Sequence, residues 1–365
     1  MTAIPVSGRW CRAALATALT LALGACSSAE YYLQLARGQY QLLSSREPIA
    51  AIVSDPGRDP QLRTRLTRVQ HARRYAVDAL HLPDNDSYTV YADVHRDYVV
   101  WNVFATPAYS LDAVENCFPI AGCLSYRGFY DERAARDHAA QLAARGYDTE
   151  VGGVAAYSTL GWFDDPVINT MMRWSDAHLI GTLFHELAHQ RLFVKNDTAF
   201  NESFASFVEQ QGLQQYAASG AIDLQGQAEQ AARESAFVAL ILQTRQQLAA
   251  SYRSSRDPAA LAAIKQQAFE QLQARYRQLR DAQWNGYAGY DRFFERPLNN
   301  ARLLPFGLYD QWVPAFATLF AEHGRDWAAF YAAATELGKL APAARQAQLQ
   351  ALAARASAST AAVVP

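Results

Sequence analysis

The residues His185-Glu186-Leu187-Ala188-His189 form an H-E-x-x-H motif inside a proline-free run from Asp176 to Arg191. An apolar residue recurs at every fourth position of this run: Leu179, Leu183 and Leu187. The pattern predicts a helix, for which Ser175 or Asp176 is available as the N-cap. On a helix, both imidazoles lie one turn apart on one face, so they can share a zinc ion, with Glu186 beside it.

A second acidic motif, Asn201-Glu202, follows the histidines, with twelve residues between His189 and Glu202. We interpret Asn201 as the start of another helix that carries Glu202 in its first turn. Two histidines and one glutamate as ligands leave a fourth zinc position open to water, as in catalytic sites. Glu186 would then act as the general base on that water. The alternative is that the histidines make ordinary hydrogen bonds on a helix surface.

The first 25 residues are typical of a secretion signal, with two arginines before an apolar run from Ala13 to Gly24. This run is too short to cross a bilayer as a mature helix. It ends in Leu23-Gly24-Ala25-Cys26, which resembles a bacterial lipobox and implies cleavage before Cys26 and lipidation of that cysteine. Ser27 at the next position implies the outer membrane, on the periplasmic side. The alternative is an ordinary cleaved signal.

Cysteine usage agrees with export. Cys11 leaves with the signal and Cys26 would carry lipid, so Cys117 and Cys123 remain. In an oxidising compartment these two can close a small disulfide loop, whereas the alternative is two free buried thiols. A zinc ribbon is excluded because there is no second cysteine pair.

Composition limits the class of partner. The chain has 33 basic and 35 acidic residues, a formal net charge of −2, and no basic block. A nucleic-acid partner is therefore not expected, and the expected partners are a peptide or protein substrate and the membrane that holds the lipid anchor. The sequence does not indicate the oligomeric state.

The predicted fold is α+β and mainly helical, with a small β-sheet. Residues 26–58 form the anchor and a helical segment, and residues 59–365 form one metallopeptidase domain with its zinc site in 176–212. The pattern of residues 225–284 predicts a helical hairpin that packs beside the active site. The second helix of this hairpin would have Asp257 as its N-cap and Pro258 as its first residue. A strand within 147–162 has small side chains at Gly153, Ala155 and Ala156. Such a strand can pair with an extended substrate, although a plain core strand is the alternative.

Together these residues resemble the bacterial "predicted aminopeptidase" family of zinc-dependent lipoproteins. The resemblance covers nearly the whole mature chain and rests on these stretches: Trp101-Asn102-Val103, Cys117 to Cys123, Tyr126-Arg127-Gly128, Ala156 to Trp162, His185 to His189, Ala199 to Glu202, and Asn299 to Leu303. A more distant similarity is to the gluzincin metallopeptidases, in which the third ligand also sits in an Asn-Glu pair, often before Phe-Ala, as in Phe204-Ala205 here.

The resemblance implies that His185, His189 and Glu202 bind Zn²⁺ and that Glu186 is the base. Glu209, two turns after Glu202, would accept a hydrogen bond from a ligand histidine; a solvent-facing glutamate is the alternative.

The chain departs from the gluzincin pattern in two respects. The spacing between the second histidine and the glutamate is shorter than usual. The segment Gly152 to Ala156 lacks the glutamate that binds the substrate's amine in gluzincin aminopeptidases, and the substitutes are Asp164 or Asp165.

The expected function is hydrolysis of peptide bonds by a membrane-tethered zinc aminopeptidase. Tyr157 and Tyr309, with His323 behind them, are the candidates for stabilising the oxyanion, and a structural role is the alternative for each. Three other functions fit the same residues: an endopeptidase on periplasmic proteins or peptidoglycan peptides, a non-catalytic zinc lipoprotein, and a tethered binding protein without metal. An intact Glu186 argues against a purely structural zinc site, which needs no base.

Overall fold

The computed structural model describes residues 30–118, 122–156, 159, 163–306 and 311–361. The described residues are mainly helical and their sheets are small, which confirms the α+β, mainly helical expectation. Several predictions lie outside the described residues: the signal segment 1–25, Cys26, Tyr157 and Tyr309. None of the helices in the described ranges combines the length and apolarity needed to cross a bilayer.

The helices follow one another with short connections through most of the chain. In chain order they are α1 (30–44), α2 (Ile49–Ser54), α3 (Pro60–Asp78), α4 (Glu132–Ala144), α5 (Asp176–Arg191), α6 (Thr198–Ala218), α7 (Gln227–Ser251), α8 (Pro258–Ala282), α9 (Val313–Glu322), α10 (Trp327–Lys339) and α11 (Pro342–Ala361). The α8 N-terminus is capped as predicted: the Asp257 carboxylate accepts from two backbone N–H groups, with proline at the first helical position.

In the described ranges, eight short strands form three small sheets. They are β1 (Arg46–Pro48), β2 (Val90–Ala92), β3 (Val100–Pro107), β4 (Asn116–Phe118), β5 (Gly122–Leu124), β6 (Arg127–Phe129), β7 (Tyr147–Val154) and β8 (Val167–Ile168). The sheet orders are β1-β2-β8, β6-β3-β7 and β4-β5. Strand β3 is central in the second sheet and pairs antiparallel with β7 along its whole length, so β7 is an edge strand. The β4–β5 hairpin contains the Cys117–Cys123 disulfide.

The main core surrounds α5 and α6, which pack along each other and against α3 and α9. Residues from the N-terminal segment contribute to the same core, among them Leu42, Ile49 and Ile52. The helices α7 and α8 form the predicted hairpin around a separate apolar cluster. Lys265 of α8 pairs with Asp148 of β7 at 2.5 Å and so joins the hairpin to the second sheet. The apolar faces of α7 and α8 pack on each other and on residues 284–306.

The start of α6 also differs from the prediction. The helix begins at Thr198, where the Asp197 carboxylate accepts from the Phe200 N–H, and not at Asn201. The Asn201 side chain is buried and makes two hydrogen bonds to Val194, one to its N–H at 2.7 Å and one to its carbonyl at 2.8 Å. Asn201 therefore clamps the tight α5–α6 connection, and Glu202 lies in the second turn of the helix.

Candidate metal centre

The helix α5 is held at its N-terminus and along its apolar face. The Ser175 hydroxyl accepts from the His178 N–H, as predicted for an N-cap. Asp176 in the first turn, where a negative charge complements the helix dipole, pairs with Arg68. The leucines at every fourth position are fully buried: Leu179, Leu183 and Leu187. This packing fixes the rotation of α5 and directs His185 towards α6.

Three ligand atoms converge between α5 and α6. The Nε2 atoms of His185 and His189 lie 3.1 Å apart, and Glu202 Oε2 lies 3.3 Å from the first and 3.6 Å from the second. Tetrahedral zinc bonds of about 2.0–2.1 Å place neighbouring ligands about 3.3 Å apart. The three atoms therefore have the spacing that a zinc ion requires, and the donor set of two imidazoles and one carboxylate fits that metal.

His189 supports the same conclusion. Its side chain is only 6% exposed, and its Nδ1 atom is buried with no hydrogen-bond partner in the described part of the chain. The contacts of its Nε2 atom are with His185 and Glu202, at the point where the ligand atoms meet. The Nε2 atom of His189 is thus the ring nitrogen available to a metal ion, whereas Nδ1 lacks the carboxylate partner that His185 has in Glu209.

The site concentrates negative charge. Burial opposes protonation of His185, but hydrogen bonds to Glu202 and Glu209 and the charges of Glu209 and Glu186 raise its pKa to about 10. Burial likewise favours the neutral form of Glu202, yet hydrogen bonds from the two histidines lower its pKa to about 2. The carboxylates of Glu186, Glu202 and Glu209 thus favour a positive charge beside His185. This is the electrostatic condition for a cation site.

Glu209 contacts the ring of His185. Its Oε2 is 3.1 Å from His185 Nδ1, on the side of the ring opposite to the ligand atom. A carboxylate at this position fixes the ring orientation of a metal-binding histidine.

Gly181, one turn before His185, leaves the space that Glu209 occupies beside the His185 ring. The sequence analysis did not identify this glycine. A Cβ at this position would lie 2.7 Å from Glu209 Oε1 and 2.8 Å from Leu213 Cδ1. A glycine inside an otherwise regular helical pattern was the available signal.

Glu186 is half-buried, and a loop faces the same side of α5. Gln190, one turn after Glu186, donates to Ser87 Oγ and accepts from Asn85. Tyr88, next in this loop, is buried and has a left-handed backbone with φ of 62°. Burial and then the charges of Glu186 and Asp165 raise the Tyr88 pKa well above its ordinary value. The charge of Glu186 thus acts on a buried, neutral phenol that no sequence pattern marked.

The strand β7 has an open edge at the predicted substrate segment. The Val154 carbonyl accepts from Val99 on the β3 side, whereas the Thr149 carbonyl accepts from the Asn299 side chain on the other side. Alternation along the strand then directs the backbone groups of Gly153 to that outer edge. Gly153 is exposed, and a Cβ there would lie 2.4 Å from the Tyr98 ring. The close ring explains the glycine.

A comparison with known families extends these observations. A family model described as "Putative aminopeptidase" matches residues 30–349. The chain belongs to this family. The family description names a peptidase, and the matched range contains α5, α6, β7 and the hairpin. No curated protein and no solved structure matches the chain significantly, so the gluzincin-like character of the fold stays a prediction.

Other predicted residues of this aminopeptidase-family chain have structural partners. The buried Asp165 carboxylate accepts from the Thr159 N–H and hydroxyl, so it anchors the segment between β7 and β8 and cannot replace the missing glutamate. His323 Nδ1 hydrogen-bonds the Leu319 carbonyl at 2.8 Å and closes the end of α9.

The remaining substrate-segment residues of the family chain are also engaged. The Ala155 carbonyl accepts from the Thr170 hydroxyl, and Ala156 packs on the main core. Of the three predicted residues in this segment, Gly153 is the one that offers its backbone to an open edge.

Proposed function

We propose that the protein is a zinc-dependent peptidase, tethered by lipidated Cys26 on the periplasmic side of the membrane. The observation that carries the proposal is the convergence of His185, His189 and Glu202 at zinc-ligand spacing, with Glu186 next to the first ligand. The family description supports the peptidase class.

Each residue of the site has a separate role in the proposed reaction. His185, His189 and Glu202 would hold zinc, which supplies a Lewis acid that lowers the pKa of water to about 7. Glu186 accepts the proton of the attacking water and returns it to the leaving amine. Glu209 holds the His185 ring, and the protonated Tyr88 hydroxyl donates to the developing oxyanion. The open edge of β7 at Gly153 aligns the substrate backbone.

Endopeptidase activity is the second candidate, and a specific observation favours it. An aminopeptidase needs a carboxylate that is free to bind the substrate's amine. Two carboxylates near the substrate strand are already engaged: Glu150 pairs with Arg296 at 2.6 Å, and Asp165 accepts from Thr159. Asp164 is exposed and is the remaining candidate of the predicted pair. Peptides with free and acetylated N-termini separate the two activities, because an aminopeptidase cleaves only the free form.

The experiment that tests the proposal measures zinc and hydrolysis together. The parent chain should hold about one zinc per molecule by elemental analysis. Glu202→Ala should lose the zinc, and Glu186→Gln should keep it but lose hydrolysis of a peptide library. Glu270→Gln, an exposed position on α8, is the matched control and should behave as the parent.

Each contrary result would reject one residue assignment or indicate another function. Zinc retention in Glu202→Ala would reject that ligand. Full hydrolysis by Glu186→Gln would reject the base. Zinc without hydrolysis of any peptide would indicate a non-catalytic zinc lipoprotein, and no zinc after metal addition would indicate a tethered binding protein.

A further inference from the structure

One face of α1 is firmly bound to the rest of the molecule. The Tyr31 hydroxyl donates to the Gly128 carbonyl at 3.1 Å, and the Arg127 guanidinium lies 3.8 Å from the centre of the Tyr31 ring. The Gln34 side chain accepts from the Tyr130 N–H at 2.9 Å. Gly38 lies so close to the Tyr130 ring that any Cβ there would clash with it. The orientation of α1 is therefore fixed relative to β6 and the domain.

The opposite face of α1 is exposed and apolar. Tyr32 and Leu33 are each 49% exposed and Tyr40 is 73% exposed. At about 100° per residue, these three side chains and Ala36 fall within an arc of about 100°. They include three of the seven large hydrophobic side chains that are exposed in the described ranges, so the exposure is concentrated here. We call Tyr32, Leu33, Ala36 and Tyr40 the α1 outer face.

The position of Cys26 indicates what covers this face. Three residues lie between Cys26 and Glu30, the first described residue of α1, so the Cα atoms of Cys26 and Glu30 are at most about 14 Å apart. A lipid on Cys26 would place the bilayer surface within that distance of the helix. Tyrosine is enriched at the membrane–water boundary, where its ring contacts acyl chains and its hydroxyl stays hydrated.

We propose that the α1 outer face lies on the phospholipid surface into which the Cys26 lipid inserts. The inference rests on the lipidation part of the proposed function and adds a second, non-covalent membrane contact. Only one basic residue, Arg37, lies among residues 30–44, whereas electrostatic binding to anionic lipid uses clusters of basic residues. The contact is therefore apolar and insensitive to salt. Because α1 is fixed on the domain, it sets the orientation of the whole molecule on the membrane.

The test uses the full lipidated protein in vesicles of phosphatidylethanolamine and phosphatidylglycerol. A fluorophore sensitive to polarity is attached to Leu33→Cys or Tyr40→Cys, and to Gln41→Cys as the control on another exposed side of α1. The labels at 33 and 40 should shift to shorter wavelength, and lipid-borne quenchers should quench them several-fold more than the label at 41. High salt should not change these values.

Equal aqueous exposure of all three labels would overturn the proposal. Shielding that appears without vesicles and rises with protein concentration would also overturn it, because it indicates a second copy of the chain on this face. Mass spectrometry of the N-terminal peptide separates this proposal from the enzymatic one. A chain without lipid on Cys26 would reject the membrane contact, while zinc content and peptide hydrolysis would still decide the peptidase function.

Discussion

Two helix pairs in this molecule differ in whether ionisable side chains meet between the helices. Between α5 and α6, the interface includes His185, His189, Glu202 and Glu209, and the buried Asn201 clamps their connection. Between α7 and α8, the interface is an apolar cluster formed around Phe237, Leu272 and Tyr276. Buried charges lower stability unless a partner or ligand compensates for lost hydration, so charges are retained where a ligand is bound. The comparison separates the helix pair that carries the proposed chemistry from the pair that we expect to support it.

The largest expected effect is that of Glu186→Gln on α5. Loss of a general base lowers the rate of hydrolysis by about 10²–10⁴-fold. The zinc content and melting temperature should stay near those of the parent, since Glu186 is half-buried and is not one of the three converging ligands. Steady-state kinetics with a peptide substrate measures the effect. A comparable loss of hydrolysis in Glu270→Gln on α8 would contradict the assignment of the chemistry to the α5–α6 pair.

The next effect compares two tyrosines. Tyr88→Phe should lower kcat by about 10²–10³-fold, the usual cost of removing one oxyanion donor, with little change in zinc content. Tyr276→Phe in the hairpin removes a hydrogen bond to Asp291 and should change stability but not kcat. Equal kcat values for Tyr88→Phe and the parent would remove Tyr88 from the proposed mechanism.

Phe237→Ala tests the supporting role of the hairpin. The Phe237 ring is buried in the α7–α8 cluster, and its removal should lower the free energy of unfolding by about 3–5 kcal/mol. Denaturation by urea measures this loss. Zinc affinity at temperatures where the variant is folded should match the parent, and a clear fall in affinity would show that the two helix pairs are coupled.

Changes to the residues that contact the His185 ring or its partner Glu209 should have smaller effects, and these effects are on zinc binding. Glu209→Gln removes the charge beside His185 Nδ1, and Gly181→Ala pushes against the same carboxylate, so each should weaken zinc binding by about 10–100-fold. Gly212→Ala on α6 is the matched control, since the atoms nearest to its Cβ would belong to the apolar side chains of Leu80 and Phe184. Competition with a chelator measures the affinity. Similar losses in all three variants would indicate general disruption of the α5–α6 packing.

The smallest effect is the pH dependence of the metal-free protein. The folded pKa of His185, about 10, is above its ordinary 6.5, so its contribution to stability is complete below pH 6.5 and is lost as pH rises through about 10. The folded pKa of Glu202, about 2, is below its ordinary 4.5, so its contribution is complete above pH 4.5 and is lost as pH falls towards 2. Urea denaturation at pH 6 and pH 9 should show lower stability at pH 9.

Glu209→Gln should reduce this difference between pH 6 and pH 9, because it removes one cause of the raised His185 pKa. The hairpin variant Tyr276→Phe should leave the difference unchanged. An unchanged difference in Glu209→Gln would show that His185 does not carry the effect.

Residues within one helix were predictable because their relations are local. The spacing of His185 and His189, the Ser175 cap and the Asp257-Pro258 start each depend on a single helical turn. Asn201 was assigned wrongly because an asparagine before an acidic residue has the pattern of a helix start, whereas its side chain bonds across the α5–α6 connection. The hairpin was predicted from its apolar stripe, but its position against Asp148 was not.

The sequence by itself predicted the zinc-ligand candidates, the candidate base and the helical class of the fold, since short motifs and backbone periodicity are local features of each helix. Tertiary structure alone decided that Gly181 admits Glu209, that the charge of Glu186 acts on Tyr88, and that β7 is an edge strand. Each of these relations joins segments far apart in the chain. Their geometry depends on how the helices and the sheet pack, and packing is a property of the whole core rather than of any local pattern.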